Sequence, residues 1–256
     1  MMNRREEIKK ENKKAVPLFI LLICIGGLVG GIVGGASSMI RLRIDQVFGG
    51  RLIVDTAFVI MVAVAILTHI AGWYTYFKCK NRLKGWDEED EEVPEHIEVG
   101  SQYAMWGITV NSIVSFACFA VVASNSMNQI GEDTAKLRFV MIAVVIFVIN
   151  LFAGVLMQQK FVDLIKEMNP EKRGSVYDVK FTKKWMESCD EAEKMQTYQS
   201  AWASYRCMGS LYPFIWLFTY LADLLLDIGI FASVVVAVLW LIQTSIYYYK
   251  AIQLSR

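Results

Sequence analysis

Histidine is scarce in this sequence, and cysteine lacks the spacing that metal sites need. The 256 residues include two histidines and five cysteines, and no two cysteines form C-x-x-C. An H-E-x-x-H helix, a G-x-S-x-G turn and a G-x-x-x-x-G-K-[ST] loop are also missing. These absences argue against a zinc site, a metalloprotease, a serine hydrolase and a P-loop ATPase. We therefore predict no catalytic residue, no metal and no cofactor, with a membrane enzyme kept as a third alternative.

Charge is missing from long stretches of the chain. The formal net charge is only +1, which gives no reason to expect nucleic acid as a partner. A helix needs about 20 apolar residues to cross the hydrocarbon core of a bilayer. The charge-poor blocks supply six such helices, and we predict an all-α polytopic membrane protein, a single integral domain over 1–256. The predicted spans are about 16–40, 52–77, 101–123, 139–159, 207–226 and 229–249.

Basic residues are distributed unevenly between the two sides of this topology. The N-terminus, the 78–100 loop, the 160–206 loop and the C-terminal tail hold 21 of the 26 lysines and arginines, and the other side holds five. Loops rich in lysine and arginine stay in the cytoplasm. We therefore predict a plasma-membrane protein with both termini cytoplasmic and the lipid bilayer as its first partner.

A basic cluster at 78–84 is followed directly by an acidic run at 87–92. Like charges in a block repel one another and stay solvated. Anionic lipid headgroups would hold the basic part close to the membrane and push the acidic run away.

Paired glycines interrupt the first apolar block, in the stretch GGLVGGIVGGASS at 26–38. They form two neighbouring rows on a helix, a glycine zipper made of Gly26, Gly30 and Gly34 beside Gly27, Gly31 and Gly35. Small residues allow helix backbones to approach closely in lipid. The face is expected to pack on another helix of this chain, on a second copy, or beside a hinge or substrate path.

The segment between the fourth and fifth spans predicts a cytoplasmic helical hairpin. Phe161–Lys166 extends the fourth span until Asn169-Pro170 and Gly174 break it. Ser175 and Asp178 have the spacing of a helix N-cap box, and we expect one long amphipathic helix from there into the fifth span. Its apolar seam follows steps of three and four and includes Phe181, Trp185, Cys189, Tyr198 and Trp202. The seam would pack on this chain, form a homodimer, or bind a partner protein.

Polar residues inside the spans are the default functional candidates. His69, Asn111 and Asn150 are expected to form hydrogen bonds between helices, with a proton relay through His69 as the alternative. At the outer face, Asp55, Asp223 and Asp227 lie among a few basic residues. They predict either ion pairs that fix the hairpins or a binding mouth for an ion, lipid headgroup or peptide.

Two stretches of the chain resemble a known family. They are ENKKAVPLFI at 11–20 and NPEKRGSVYDVKFTKKWMESCDEAEK at 169–194. They are similar to an uncharacterised family of Gram-positive bacterial multi-helix membrane proteins, classified as a domain of unknown function. The resemblance covers essentially the whole chain and implies a plasma-membrane protein without an assigned activity. Members are often encoded beside small helix-turn-helix regulators, which implies a regulatory setting.

Two functional classes follow from these observations. The first is a non-enzymatic sensor or regulatory membrane protein that acts through its 160–206 cytoplasmic helices. The second is a small-solute, ion or peptide transporter or permease-like protein, for which repeats and broken helices are typical. The large amphipathic segment favours the regulatory class.

Overall fold

The computed structural model describes residues 2–37, 51–87, 90, 92–127, 134–226 and 229–255. Over these ranges the chain is helical and contains no strand. Six of its helices are long and apolar enough to span a membrane, which confirms the number predicted from hydropathy. The seven helices are α1 (Met2–Ser37), α2 (Arg51–Lys84), α3 (Glu92–Met127), α4 (Thr134–Met168), α5 (Phe181–Glu187), α6 (Glu191–Leu226) and α7 (Phe231–Leu254).

The described chain divides into two compact units, Met1–Cys189 and Asp190–Arg256. The interpretation of 1–256 as one domain stays a prediction. In the first unit, α2 packs along α3, and α4 packs against both. Helix α1 contacts α4 over a shorter stretch. One end of this bundle is formed where α2 ends, α3 begins and α4 ends, and we call it the Lys84 end.

Buried residues of the bundle recur at steps of three and four, as one face of a helix requires. On α2 they include Val54, Ala57, Met61 and Ala65. The opposite faces carry large apolar side chains that are exposed, such as Leu67 at 67% and Phe116 at 57%. Water would make so extensive an apolar surface a liability, whereas lipid solvates it. The pattern therefore suits a helix bundle within a membrane.

Close helix contacts in the described bundle use a glycine that the sequence analysis did not select. A Cβ on Gly72 of α2 would collide with the Sδ of Met157 on α4. A Cβ on Gly26 or Gly27 would meet no described atom within 4 Å. The surroundings of Gly30, Gly31, Gly34 and Gly35 lie outside the described residues. Packing of the glycine zipper thus stays a prediction.

The long amphipathic helix expected from residue 178 onward is interrupted, so that prediction is wrong in this respect. Helix α5 has only seven residues and ends at Glu187, and α6 starts again at Glu191. A reciprocal cap explains the new start. Asp190 Oδ1 accepts the backbone N–H of Glu193 at 2.8 Å, and Glu193 Oε2 accepts that of Asp190 at 2.9 Å.

The second unit is a hairpin of α6 and α7. Near the end of α6, Asp223 Oδ1 accepts the backbone N–H of Gly229, which lies just before α7, at 2.7 Å. Along the pair, Tyr212 donates its hydroxyl proton to Gln243 Oε1 at 2.8 Å. The two helices expected here are both long and apolar enough to span a membrane, while Asp227 and Ile228 of the expected turn lie outside the described residues.

Candidate functional site

A buried ammonium group is the centre of a polar cluster at the Lys84 end. Lys166, near the end of α4, is only 1% exposed. Its Nζ donates to Glu11 Oε2 of α1 at 2.5 Å and to the carbonyl oxygen of Gly174 at 2.8 Å. The other carboxylate oxygen of Glu11 accepts the backbone N–H of Gly174 at 2.9 Å. Glu11 thus binds the α4 lysine and the segment after α4 at the same time.

A second set of side chains extends this contact by one helical turn. Asn12 Nδ2 donates to both carboxylate oxygens of Asp163, at 3.0 and 3.1 Å. Gln159 Nε2 donates to Asn12 Oδ1 at 3.0 Å and to Asp163 Oδ1 at 2.6 Å. The side-chain oxygen of Gln159, Oε1, accepts the Ser175 hydroxyl proton at 3.0 Å. We call this whole set the polar clamp: Glu11, Asn12, Gln159, Asp163, Lys166, Gly174 and Ser175.

The polar clamp joins the two stretches on which the family resemblance rests. Besides the Glu11–Gly174 bond, the rings of Phe19 and Tyr177 lie 5.3 Å apart between centroids. Arg4 Nη2 donates to the carbonyl oxygen of Lys172 at 2.8 Å. The two stretches that carry the family resemblance therefore contact each other in the structure.

The segment from 169 to 180 folds as successive turns rather than as a helix. Ser175 does not cap a helix, since its carbonyl accepts the Asp178 N–H at 2.8 Å within a turn. The backbone of Gly174 has φ +116°, a conformation that residues with a Cβ rarely adopt. Asp178 binds Lys184 Nζ at 2.5 Å, and this hydrogen bond holds the pKa of the Asp178 carboxyl below its usual value. This turn conformation places the backbone N–H of Gly174 within hydrogen-bond distance of the Glu11 carboxylate.

The first part of the predicted seam lies against these turns. Trp185 and Phe181 pack with ring centroids 5.6 Å apart, and Lys172 Nζ lies 5.7 Å from the Trp185 ring centroid. Cys189 is buried, at 9% exposure. Tyr198 and Trp202 belong to the second unit, and both are exposed. The structure thus divides the seam between the two units.

A second polar cluster lies in the middle of the helix bundle. Asn150 Oδ1 of α4 accepts from Asn111 Nδ2 of α3 at 2.9 Å and lies 2.9 Å from His69 Nε2 of α2. Asn150 Nδ2 donates to the Ser115 hydroxyl at 2.7 Å. The predicted hydrogen bonding of His69, Asn111 and Asn150 between helices is therefore present, with Asn150 as its hub.

The partners of Asn150 fix the tautomer of the histidine ring. Because Asn150 Oδ1 is an acceptor, Nε2 of His69 must donate, and Nδ1 of a neutral ring then carries a lone pair. This Nδ1 is buried and has no partner among the described residues. In that neutral form, His69 has one acceptor without a partner among the described residues.

The structure describes two of the three acidic residues expected at the outer face. Asp227 lies outside the described residues, as do residues 38–50 and 128–133 of the expected outer loops. Asp223 accepts the backbone N–H of Gly229, and Asp55 is exposed on α2. A shared outer mouth therefore stays a prediction.

Sequence reasoning missed most members of the polar clamp. Glu11, Asn12 and Lys166 resemble ordinary solvated residues when only the sequence is considered. One signal was present: residues 161–168 mix Lys166 and Asp163 with apolar residues on every face of the helix. A helix that is apolar all round is buried, and the polar residues within it then need partners.

Comparison with known proteins gives a single assignment. No curated protein and no solved structure matches the chain. The sequence model of one family, described as "Protein of unknown function (DUF3169)", matches residues 13–251. This match spans Lys13 of α1 to Ala251 of α7 and includes the polar clamp except Glu11 and Asn12. The chain therefore belongs to the protein family of unknown function DUF3169.

Proposed function

We propose that this chain is a non-enzymatic regulatory protein of the plasma membrane, with both termini and the 160–206 segment in the cytoplasm. The observation that carries the proposal is the burial of Lys166 between Glu11 and Gly174. A buried ion pair adds little net stability, because desolvation offsets the attraction, and its best-attested role is to specify one arrangement. Glu11 then acts as a latch that holds the 169–180 segment against α1.

An exposed apolar surface supports the same function. Met195, Tyr198 and Trp202 are 56%, 59% and 49% exposed. We infer that they lie outside the lipid tails, because they precede the apolar span expected at 207–226. Aromatic residues in such a position are typical of a protein contact. Binding of a partner protein at this surface would then depend on whether the polar clamp is closed or open.

Cross-linking in the cells that express the protein tests this function. A photoreactive amino acid replaces Tyr198 or Trp202, and matched positions on another face of α6, Gln196 and Ser200, serve as controls. We expect a discrete cross-linked protein from the first two positions and none from the controls. The cross-linking yield at Tyr198 and Trp202 should change in Glu11→Gln, because this substitution removes the charge that pairs with Lys166 and so opens the latch. Equal cross-linking at all four positions, or none, would contradict the regulatory function.

One observation favours a transporter as the second candidate. The buried, unpartnered Nδ1 of His69 lies inside the apolar part of α2, where a proton acceptor is typical of relays. Vesicles that contain the purified protein and an entrapped pH-sensitive dye test this alternative. Proton flux in the wild type that His69→Gln abolishes would replace the regulatory proposal. Equal fluxes with and without the protein would exclude proton transport.

A further inference from the structure

A basic cavity opens at the Lys84 end of the bundle, beside the polar clamp but separate from it. Its volume is about 600 Å³, within the range of small-molecule sites. Cationic side chains from two helices line it: Arg4 and Arg5 of α1 and Lys80 and Lys84 of α2. Trp86 and Met168 provide an apolar wall.

The described acids pair with both arginines of this cavity but with neither of its lysines. Glu167 is the one carboxylate among the described lining residues, and it is paired with Arg5, Nη2 to Oε2 at 2.9 Å. Neither Lys80 nor Lys84 forms an ion pair within the described chain. Lys80 instead lies over the Tyr76 ring, with Nζ 5.4 Å from its centroid. The two lysines are four residues apart on one helix, where like charges repel.

Arg4 is held in place by the protein backbone. Its Nη2 and Nε donate to the carbonyl oxygens of Lys172 and Lys166, at 2.8 and 3.4 Å. Its Nη1 also lies 3.3 Å from Oε2 of Glu7, whose side chain is 60% exposed, so solvent screens this pair while the carbonyl groups orient the guanidinium. An oriented guanidinium beside two ammonium groups that have no ion pair in the described chain is suited to a phosphate, which accepts hydrogen bonds from several donors.

The depth of the cavity matches that of lipid headgroups. The apolar part of α2 ends at about Phe77, so Lys80 and Lys84 lie about 5–10 Å further along the helix axis. The polar layer on each side of a bilayer is about 5–8 Å thick. Basic pockets beside membrane helices bind anionic headgroups.

We propose that this cavity binds a phosphate group, as carried by an anionic phospholipid headgroup or by a soluble phosphorylated molecule. Binding would join the N-terminus of α1 to α2 through a shared anion. The proposal does not depend on the regulatory function, because binding is measured on the purified chain alone.

The test compares three probes on the full chain in a neutral detergent. Dioctanoyl phosphatidylglycerol is the lipid probe, glycerol 3-phosphate and inorganic phosphate are the soluble ones, and dioctanoyl phosphatidylcholine is the zwitterionic control. Binding is measured by native mass spectrometry and by the shift in apparent melting temperature. The variant is Lys80→Gln/Lys84→Gln. Lys9→Gln/Lys78→Gln makes the same change of charge at exposed lysines outside the cavity.

We expect phosphatidylglycerol to bind the wild type and the Lys9→Gln/Lys78→Gln control, and to bind Lys80→Gln/Lys84→Gln at least tenfold more weakly. Binding of the lipid but not of the soluble probes identifies a headgroup as the source. Equal binding of glycerol 3-phosphate identifies a soluble ligand of the same site. Without ligand, Lys80→Gln/Lys84→Gln should melt no lower than wild type, because it removes a repulsion. No phosphate binding, or equal weakening in both double variants, would overturn the proposal.

Discussion

The Nζ of Lys166 lies 2.5 Å from a carboxylate oxygen of Glu11, although 155 positions separate the two residues in the chain. The lysine is buried and the glutamate side chain is 32% exposed. The two residues of the pair therefore differ in how well water can replace a lost partner. This asymmetry sets the order of effects in the first prediction.

Glu11→Gln should destabilise the protein more than Lys166→Met. The glutamine leaves the buried ammonium without its counter-ion, at a cost of about 1.5–3 kcal/mol for a lost charged hydrogen bond. Methionine leaves the partly exposed Glu11 to water and to the Gly174 N–H. Apparent melting temperatures in detergent measure both. Glu187→Gln, at the exposed Lys183–Glu187 pair, is the control and should change little. A lower melting temperature for Lys166→Met than for Glu11→Gln would contradict this order.

Gly174→Ala should lower stability through both backbone strain and a collision. The backbone φ of +116° costs a residue with a Cβ about 1–3 kcal/mol, and its Cβ would lie 3.0 Å from Phe181 Cδ2. Gly229→Ala separates the two terms, because φ is +92° with no described atom within 4 Å. Gly26→Ala has neither problem. We expect melting temperatures in the order Gly174→Ala, Gly229→Ala, Gly26→Ala, lowest first, and equal values would refute the argument.

Asn150→Leu should lower the stability of the helix bundle, because it removes the central residue of the second polar cluster. Hydrogen bonds between helices in lipid contribute about 0.6–2 kcal/mol each, and Asn150 bonds to side chains on α2 and α3. Ser112→Ala is the control, since that hydroxyl bonds to the Ile108 carbonyl of its own helix. The apparent melting temperature and the protease sensitivity of both variants are measured. Similar values for the two would mean that Asn150 contributes no bond between helices.

Trp185→Ala and Trp202→Ala should separate the two parts of the seam. Trp185 is partly buried against Phe181 and Lys172, so its loss should approach the lower end of the about 3–5 kcal/mol typical of buried tryptophan. Trp202 is 49% exposed, and its loss should cost less stability but abolish cross-linking from Tyr198. Thermal melting and the cross-linking yield are read on the same preparations. If Trp202→Ala were the less stable variant and still cross-linked, the assignment of the exposed surface would be wrong.

Orientation can be tested with single cysteines on a cysteine-free chain. Cys79 and Cys189 are unsuitable reporters because burial alone protects them, at 4% and 9% exposure. We expect a membrane-impermeant maleimide to label Gln129→Cys in intact cells, and Lys183→Cys only after permeabilisation. Gln129 lies outside the described residues, while the Lys183 side chain is 75% exposed. Labelling in the reverse pattern would invert the topology.

The spans were predictable because each depends on local composition. The Asn150 cluster was also partly predictable, since a polar side chain in a membrane helix must find a partner. The polar clamp was not, because nothing near Glu11 in the sequence indicates Gly174, and a contact over such a distance leaves no periodic pattern. The break at Ser188–Asp190 had a visible signal, the spacing of Asp190 and Glu193. The apolar residues spaced three and four apart through Cys189 instead favoured one continuous helix.

The sequence positions of the polar clamp also set the order in which the protein can be assembled during synthesis. Gly174 follows Glu11 by 163 residues, so at about 5–20 residues per second the ribosome needs about 8–33 s to supply it. Over that time α1 has been synthesised, whereas Gly174, which donates its backbone N–H to Glu11, has not. Every clamp residue is nevertheless made before Asp190, where the second unit begins. The α1–α4 contact can therefore close while α6 and α7 are still being translated.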